Sequence, residues 1–88
     1  MSNRKSYILT GYDMKSKFYI ETQVFTNKKI AEKSYEAFIN YLIFNHRLDT
    51  DNIVVSSPTR EVHTTVIDGK YYVALRTFDI RNKVIKYI

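Results

Sequence analysis

The sequence predicts an α+β fold, in which a five- or six-stranded antiparallel sheet carries one helix on one face, in the order ββαβββ. Several segments repeat apolar residues at every second position, which is the repeat of half-buried strands. Only the segment 27–45 spaces its apolar residues by three and four, as an amphipathic helix does. A helix packed on a twisted sheet is the two-layer arrangement that this combination favours. A chain of 88 residues suffices for a single domain, 1–88.

Two strands are predicted before the helix. The segment 6–12 forms the first, which ends at Gly11 and the polar loop 13–16. The segment 17–25 alternates strictly and forms the second, so the two are expected to pair as a hairpin. One side of this second strand consists of Phe18, Ile20, Thr22 and Val24, and the other of Tyr19, Glu21, Gln23 and Phe25.

The helix follows a residue that can cap it, since Thr26 or Asn27 offers a side-chain oxygen to the first free amides. Its apolar stripe consists of Ala31, Tyr35, Phe38 and Leu42. Ile43 and Phe44 lie outside this stripe, so burying them requires a neighbouring strand or a second subunit. They are therefore the candidate contacts with another subunit or partner.

The second half of the chain consists of further strands. A short apolar strand is predicted at 52–57, followed by a turn at Pro58 and an alternating strand within 60–68. Asp68-Gly69 predicts a tight hairpin, because glycine accepts the positive φ that such turns require.

The last predicted strand is 70–78, and the alternating tail 79–88 forms a sixth strand or extends the fifth. A single helix covers only one face of this sheet. The other face is expected to expose Tyr19, Phe25, Tyr72 and Phe78. It must therefore serve in binding or be shared with another chain.

Composition excludes several classes of protein. The chain has no cysteine, which removes disulfides, thiolate metal sites and thiol nucleophiles. Its longest apolar run, 41–44, is far too short to cross a bilayer. The first residues lack the apolar run of a signal peptide. We therefore expect a cytoplasmic protein, in the host cytoplasm if the protein is viral.

Evidence for catalysis is weak. His46 and His63 are the two histidines, and such a pair can serve a small metal-independent ribonuclease as general base and acid. The structural alternative is that His46 stabilises the helix C-terminus while His63 faces solvent. Asp49-Thr50-Asp51 lacks the further ligands of a calcium loop and fits a turn better. We expect no enzyme activity, no cofactor and no metal.

Charge and aromatic residues indicate binding instead. The net charge is +5, and both ends are basic: residues 70–88 carry five Lys/Arg against one acid, and residues 1–33 carry seven against three. Cations that contact phosphates, interleaved with rings that stack on bases, are typical of sheets that bind single strands. The candidate nucleic-acid contacts are Arg4, Lys5, Lys17, Tyr72, Arg76, Phe78, Arg81, Lys83, Lys86 and Tyr87.

Three functions remain open at the level of sequence. The first is a non-enzymatic protein that binds RNA or single-stranded nucleic acid through its sheet. The second is a phage-like or regulatory protein that inhibits a host protein by steric blocking, since exposed apolar surface also suits protein partners. The third is the small ribonuclease. The same apolar surface suits a homo-oligomer, such as a homodimer.

Overall fold

The structure, a computed structural model, describes residues 5–79 and confirms the predicted fold class: one helix and a five-stranded antiparallel sheet. The elements run β-β-α-β-β-β along the chain. They are β1 (Lys5–Asp13), β2 (Phe18–Phe25), α1 (Lys28–His46), β3 (Ile53–Thr59), β4 (Val62–Ile67) and β5 (Tyr71–Asp79). The sixth strand predicted for the tail lies outside the described residues, apart from Asp79 at the end of β5.

The strands lie in the order β2-β1-β5-β4-β3. The last strand, β5, thus lies between β1 and β4, while β2 and β3 form the two edges. Helix α1 connects these edge strands and carries the chain from one side of the sheet to the other. Lys5 pairs with Asp79 in the register of β1 and β5, so both ends of the described chain lie at the same end of the sheet.

The register assigns each strand residue to one of two faces, because directly opposed residues share a face and successive residues alternate. The helix face contains Leu9 of β1, which lies opposite Leu75 of β5. Together with the helix it forms a core whose buried members are Leu9, Ala31, Leu42, Leu48, Ile67, Val73 and Leu75. The predicted stripe of α1 is oriented as expected, with Tyr35 and Phe38 also packed against this core.

Hydrogen bonds fix both ends of α1. The Asn27 side-chain oxygen accepts from the Ile30 amide at 3.1 Å, so Asn27 is the residue that caps the helix. At the other end, Arg47 adopts a left-handed conformation with φ of 51°, and its amide donates to the Ile43 carbonyl. In the described part of the chain, no helix is both long and apolar enough to cross a membrane.

One polar contact joins the helix to the sheet beneath it. The hydroxyl oxygens of Tyr35 and Thr65 lie 2.6 Å apart, and Thr65 is buried. Burial raises the pKa of the Tyr35 hydroxyl above its ordinary value, so this group stays protonated to higher pH when the chain is folded. The contact orients α1 over β4 at a point where the core would otherwise bury unpaired hydroxyls.

The prediction that Phe25 lies on the uncovered face is wrong, because the sequence pattern gave no sign of a bulge. The register shifts between Gly11 and Tyr12 of β1, so that Tyr12 pairs with Tyr19 and Ile20 is the additional residue. Alternation inverts across a bulge. Phe25 therefore packs against the core on the helix face, whereas Tyr19 lies on the opposite face.

Two predicted boundaries also require correction. Gly11 does not end the first strand, which continues to Asp13. Pro58 lies within β3 instead of a turn, beside a register shift between Ser56 and Thr59. An edge strand and a bulge are where a sheet accepts proline, since no ladder hydrogen bond is lost there.

Candidate nucleic-acid interface

The sheet face opposite α1, here called the open face, carries no helix among residues 5–79. By register it carries Ser6, Ile8, Thr10, Tyr12, Tyr19, Thr22, Val24, Val54, Ser56, Thr59, Val62, Thr64, Val66, Tyr72, Ala74, Arg76 and Phe78. Four of these side chains are aromatic and one, Arg76, is charged. Between Lys5 and Phe78 no aspartate or glutamate lies on this face. The described part of the open face therefore combines aromatic, aliphatic and hydroxyl-bearing side chains, and its one charged side chain is positive.

Three tyrosines from three adjacent strands meet at one end of the open face. The rings of Tyr12 and Tyr19 contact edge to face, with centroids 5.0 Å apart and planes at 60°. Tyr72 lies directly opposite Tyr12 in the register of β1 and β5. With Met14 and Lys17 these rings line a shallow hollow of about 510 Å³, here called the tyrosine hollow. Flat rings beside a cation offer both stacking and charge to a ligand.

A hydrogen-bonded loop after β1 places Lys17 beside this hollow. The Asp13 carboxylate accepts from the backbone amides of Lys15 at 3.0 Å and Ser16 at 3.2 Å. The Ser16 amide, aided by Lys15, holds the pKa of the Asp13 carboxyl below its ordinary value. Lys17 has a φ of 65°, a left-handed conformation that costs a residue with a side chain about 1 kcal/mol. Its amide donates to the Asp13 carbonyl at 2.7 Å, which helps to offset that cost.

A row of side chains on β5 extends from the hollow across the sheet. Tyr72, Arg76 and Phe78 share the open face, and positions two residues apart on a strand are separated by about 7 Å. Arg76 is half-buried between Ile8 and Val62 of the flanking strands. Among the side chains of residues 5–78 the single ion pair joins Lys70 to Asp68, so none of these carboxylates forms an ion pair with Arg76.

The residues predicted as nucleic-acid contacts are thus divided by the structure. Tyr72, Arg76 and Phe78 lie on the open face, and Lys17 borders it. Lys5 lies on the other side of the sheet, where it lines a polar cleft. Arg4, Arg81, Lys83, Lys86 and Tyr87 lie outside the described residues.

Sequence reasoning placed Tyr19 on this face but named neither Tyr12 nor Tyr19 as a nucleic-acid contact. The contact between the two rings depends on the bulge in β2, and their position beside Tyr72 depends on the pairing of β1 with β5, neither of which has a local signature. Most of the net charge lies beyond the described residues, since residues 5–79 carry ten Lys/Arg against nine Asp/Glu.

The two histidines are not brought together. The His46 ring lies 5.0 Å from that of Tyr71 at the end of α1. His63 lines a cleft with Glu32 near the start of α1, and Nδ1 of His63 lies 2.9 Å from the Ser57 hydroxyl. Fourteen residues of helix separate Glu32 from His46, about 21 Å at 1.5 Å per residue. The geometry gives no support to a shared acid–base role.

The loop Asp49-Thr50-Asp51 is held by one hydrogen bond within itself and one to Asp68. The Asp49 carboxylate accepts from the Asp51 amide at 2.9 Å, and the Asp68 carboxylate accepts from the Asp49 amide at 3.2 Å. Across the described residues, no group of three or more His, Asp or Glu side chains is placed to hold a metal ion.

The two apolar residues at the end of α1 have different surroundings. Ile43 packs against the core of its own chain, so its burial requires no second subunit. Phe44 is 84% exposed.

Fold and surface together define a class: a one-helix α+β protein whose sheet carries aromatic residues on the face opposite the helix. No protein-family model matches the chain, and neither the curated proteins nor the solved structures contain a significant match.

Proposed function

We propose that the protein binds RNA or single-stranded nucleic acid across the open face, without catalysing a reaction. The observation that carries the proposal is the composition of this face, where four aromatic rings accompany Arg76 and none of the described residues is an aspartate or glutamate. A polyanion that approaches the described part of this face therefore meets no carboxylate on it. Rings on a sheet provide stacking platforms for unpaired bases, and stacking tolerates any base.

The arrangement assigns a role to each part of the surface. Bases stack on the rings of the tyrosine hollow and, farther along β5, on Phe78. Lys17 and Arg76 contact the phosphates that join the stacked bases, because Lys17 lines the hollow and Arg76 shares its face of β5 with Tyr72 and Phe78. Rings reach only bases that are not paired and stacked in a duplex, so the proposal favours single strands over double-stranded DNA.

The salt dependence of binding tests this proposal. We expect a fluorescein-labelled oligouridine to bind with an affinity that falls between 50 and 300 mM NaCl, with a logarithmic slope of about −0.7 per phosphate contact. Arg76→Gln should make the slope less negative by about 0.7 and weaken binding about fivefold. Fluorescence anisotropy measures both quantities.

Lys33→Gln is the matched control, because it removes one positive charge from an exposed position on α1. The proposal is wrong if binding does not respond to salt, or if Arg76→Gln and Lys33→Gln have equal effects.

A specific feature favours a second candidate, contact with another protein chain through β2. This edge strand contains neither proline nor lysine, and Phe18, Tyr19 and Val24 are 69%, 68% and 62% exposed. The free backbone groups of an edge strand pair readily with other chains, and natural proteins usually prevent this by placing lysine or proline on the strand. A second copy of this chain, or a protein that it inhibits, would pair here.

The two candidates respond oppositely to a lysine placed on β2. Val24 lies on the open face of the edge strand, so Val24→Lys should dissociate any dimer formed through β2 while it preserves or strengthens nucleic-acid binding. Sedimentation velocity without nucleic acid measures the first effect and anisotropy the second. Val54→Lys on the other edge, where Val54 is 59% exposed, is the control. A monomeric wild type, or a dimer unaffected by Val24→Lys, contradicts the second candidate.

A further inference from the structure

A polar cleft of about 250 Å³ lies on the helix side of the sheet, away from the open face. The start of β1, the first turns of α1 and the β3–β4 turn all contribute to it. Its charged lining consists of Lys5, Lys28 and Arg60 with Glu32 and Glu61, and His63 lies among them. The sequence gave no sign of this cluster, because its members are distributed over nearly 60 positions.

The charged lining holds three cations against two carboxylates, and neither Glu32 nor Glu61 forms an ion pair with them. Among the side chains of residues 5–78 the one ion pair closer than 4.0 Å joins Lys70 to Asp68, outside the cleft. Like charges held together in a concavity repel one another, and the cavity wall focuses their field. An anionic ligand would relieve that repulsion.

Hydrogen bonds hold the backbone that carries these side chains. The Glu61 amide donates to the Thr59 hydroxyl at 3.1 Å, and the Glu61 carbonyl accepts from the Thr77 amide at 2.8 Å. These bonds fix the turn that presents Arg60. Lys28 begins a helix capped by Asn27. Preorganised donors lose less entropy when a ligand binds than donors on a mobile loop.

We propose that this cleft binds a small phosphate-bearing molecule. A phosphate carries nearly two negative charges and several acceptor oxygens, so it can contact cations that approach from three directions. A single carboxylate has one charge and two oxygens, so it pairs with fewer of these cations. Arg60 supplies the forked donor and Lys28 the point charge. The volume equals that of roughly eight water molecules at about 30 Å³ each, which suits a phosphate with a small organic group. Glu32 and Glu61 are placed to accept hydrogen bonds from hydroxyls of that group.

This site is independent of the proposed nucleic-acid interface. Lys5, Tyr7, His63 and Leu75 belong to the helix face by register, whereas the tyrosine hollow lies on the opposite face. Binding of a small phosphate can therefore be present or absent whatever the open face binds.

The test titrates the 15N-labelled protein with ribose 5-phosphate at constant ionic strength and follows the amide resonances. We expect saturable shifts at Lys28, Arg60, Glu61 and His63, with the resonances of Tyr12 and Tyr72 unchanged. Lys28→Gln should weaken binding about fivefold, the order of magnitude of one partly exposed charge-assisted contact. The double variant Lys28→Gln/Arg60→Gln should abolish saturation in the same concentration range.

Lys29→Gln is the matched control, because Lys29 is the adjacent lysine of the same helix turn and does not line the cleft. The proposal is overturned if Lys28→Gln and Lys29→Gln bind alike. It is equally overturned if no residue of the cleft shifts, or if the shifts map to the tyrosine hollow.

Discussion

Replacing Tyr19 and Tyr72 together by leucine is expected to weaken the binding of oligouridine about 30-fold, since each stacking ring contributes on the order of 1 kcal/mol or more. The two residues belong to the tyrosine hollow and come from strands on either side of β1. Leucine preserves apolar bulk at both positions, so the change removes stacking while the sheet stays intact. Fluorescence anisotropy at a fixed salt concentration gives the ratio of affinities.

Tyr41→Leu provides the control for this prediction. Tyr41 is 57% exposed on α1 and lies on the opposite side of the sheet from the tyrosine hollow, so its loss should leave affinity within about twofold of the wild type, the effect expected for a residue remote from the ligand. If the double variant binds as tightly as Tyr41→Leu, the rings of the hollow do not stack on bases, and the open face must serve another partner. Thermal unfolding curves of both variants that coincide with the wild-type curve would show that the fold is unaffected.

Gly11→Ala is expected to lower the free energy of unfolding by about 2 kcal/mol, through overpacking. A Cβ atom added at Gly11 would lie 2.4 Å from Cε2 and 2.7 Å from Cζ of the Phe38 ring. The ring packs on the core and stacks with Tyr41, so moving it aside sacrifices buried contacts. Urea denaturation followed by circular dichroism measures the loss.

A double-mutant cycle isolates the cause of that loss. Phe38→Leu shortens the side chain above Gly11, so Gly11→Ala should cost clearly less in the Phe38→Leu background, with a coupling of about 1 kcal/mol. Additive effects would contradict the steric explanation. Gly69→Ala is a useful contrast, since nothing lies within 4 Å of the added atom and the cost there arises from the positive φ of 62°.

Local patterns in the sequence were sufficient to predict most elements of the fold. The spacing of Ala31, Tyr35, Phe38 and Leu42 located the helix and its buried side, and the possible caps Thr26 and Asn27 located its start, of which the structure uses Asn27. The Asp68-Gly69 hairpin is formed by two residues with positive φ, 53° and 62°, as the dipeptide predicted. These features depend on neighbours within a few positions, which is why the sequence displays them.

Only part of the candidate site could be predicted from such local patterns. Alternation along one strand placed Tyr72, Arg76 and Phe78 on a common face. The contact of Tyr12 with Tyr19 depends on the additional residue in β2, and their proximity to Tyr72 depends on β5 pairing with β1. A bulge inverts every side chain beyond it, so the error over Phe25 followed from one undetected residue.

The sequence by itself determined the fold class, the order of the elements and the buried side of the helix, because periodicity and turn chemistry are local properties. Only the tertiary structure decided which residues from distant segments meet. It placed β5 between β1 and β4, joined three tyrosines in one hollow, separated His46 from His63, and gathered the cations of the polar cleft. The physical reason is that strand order and register depend on packing over the whole sheet, for which no short stretch of sequence carries the information.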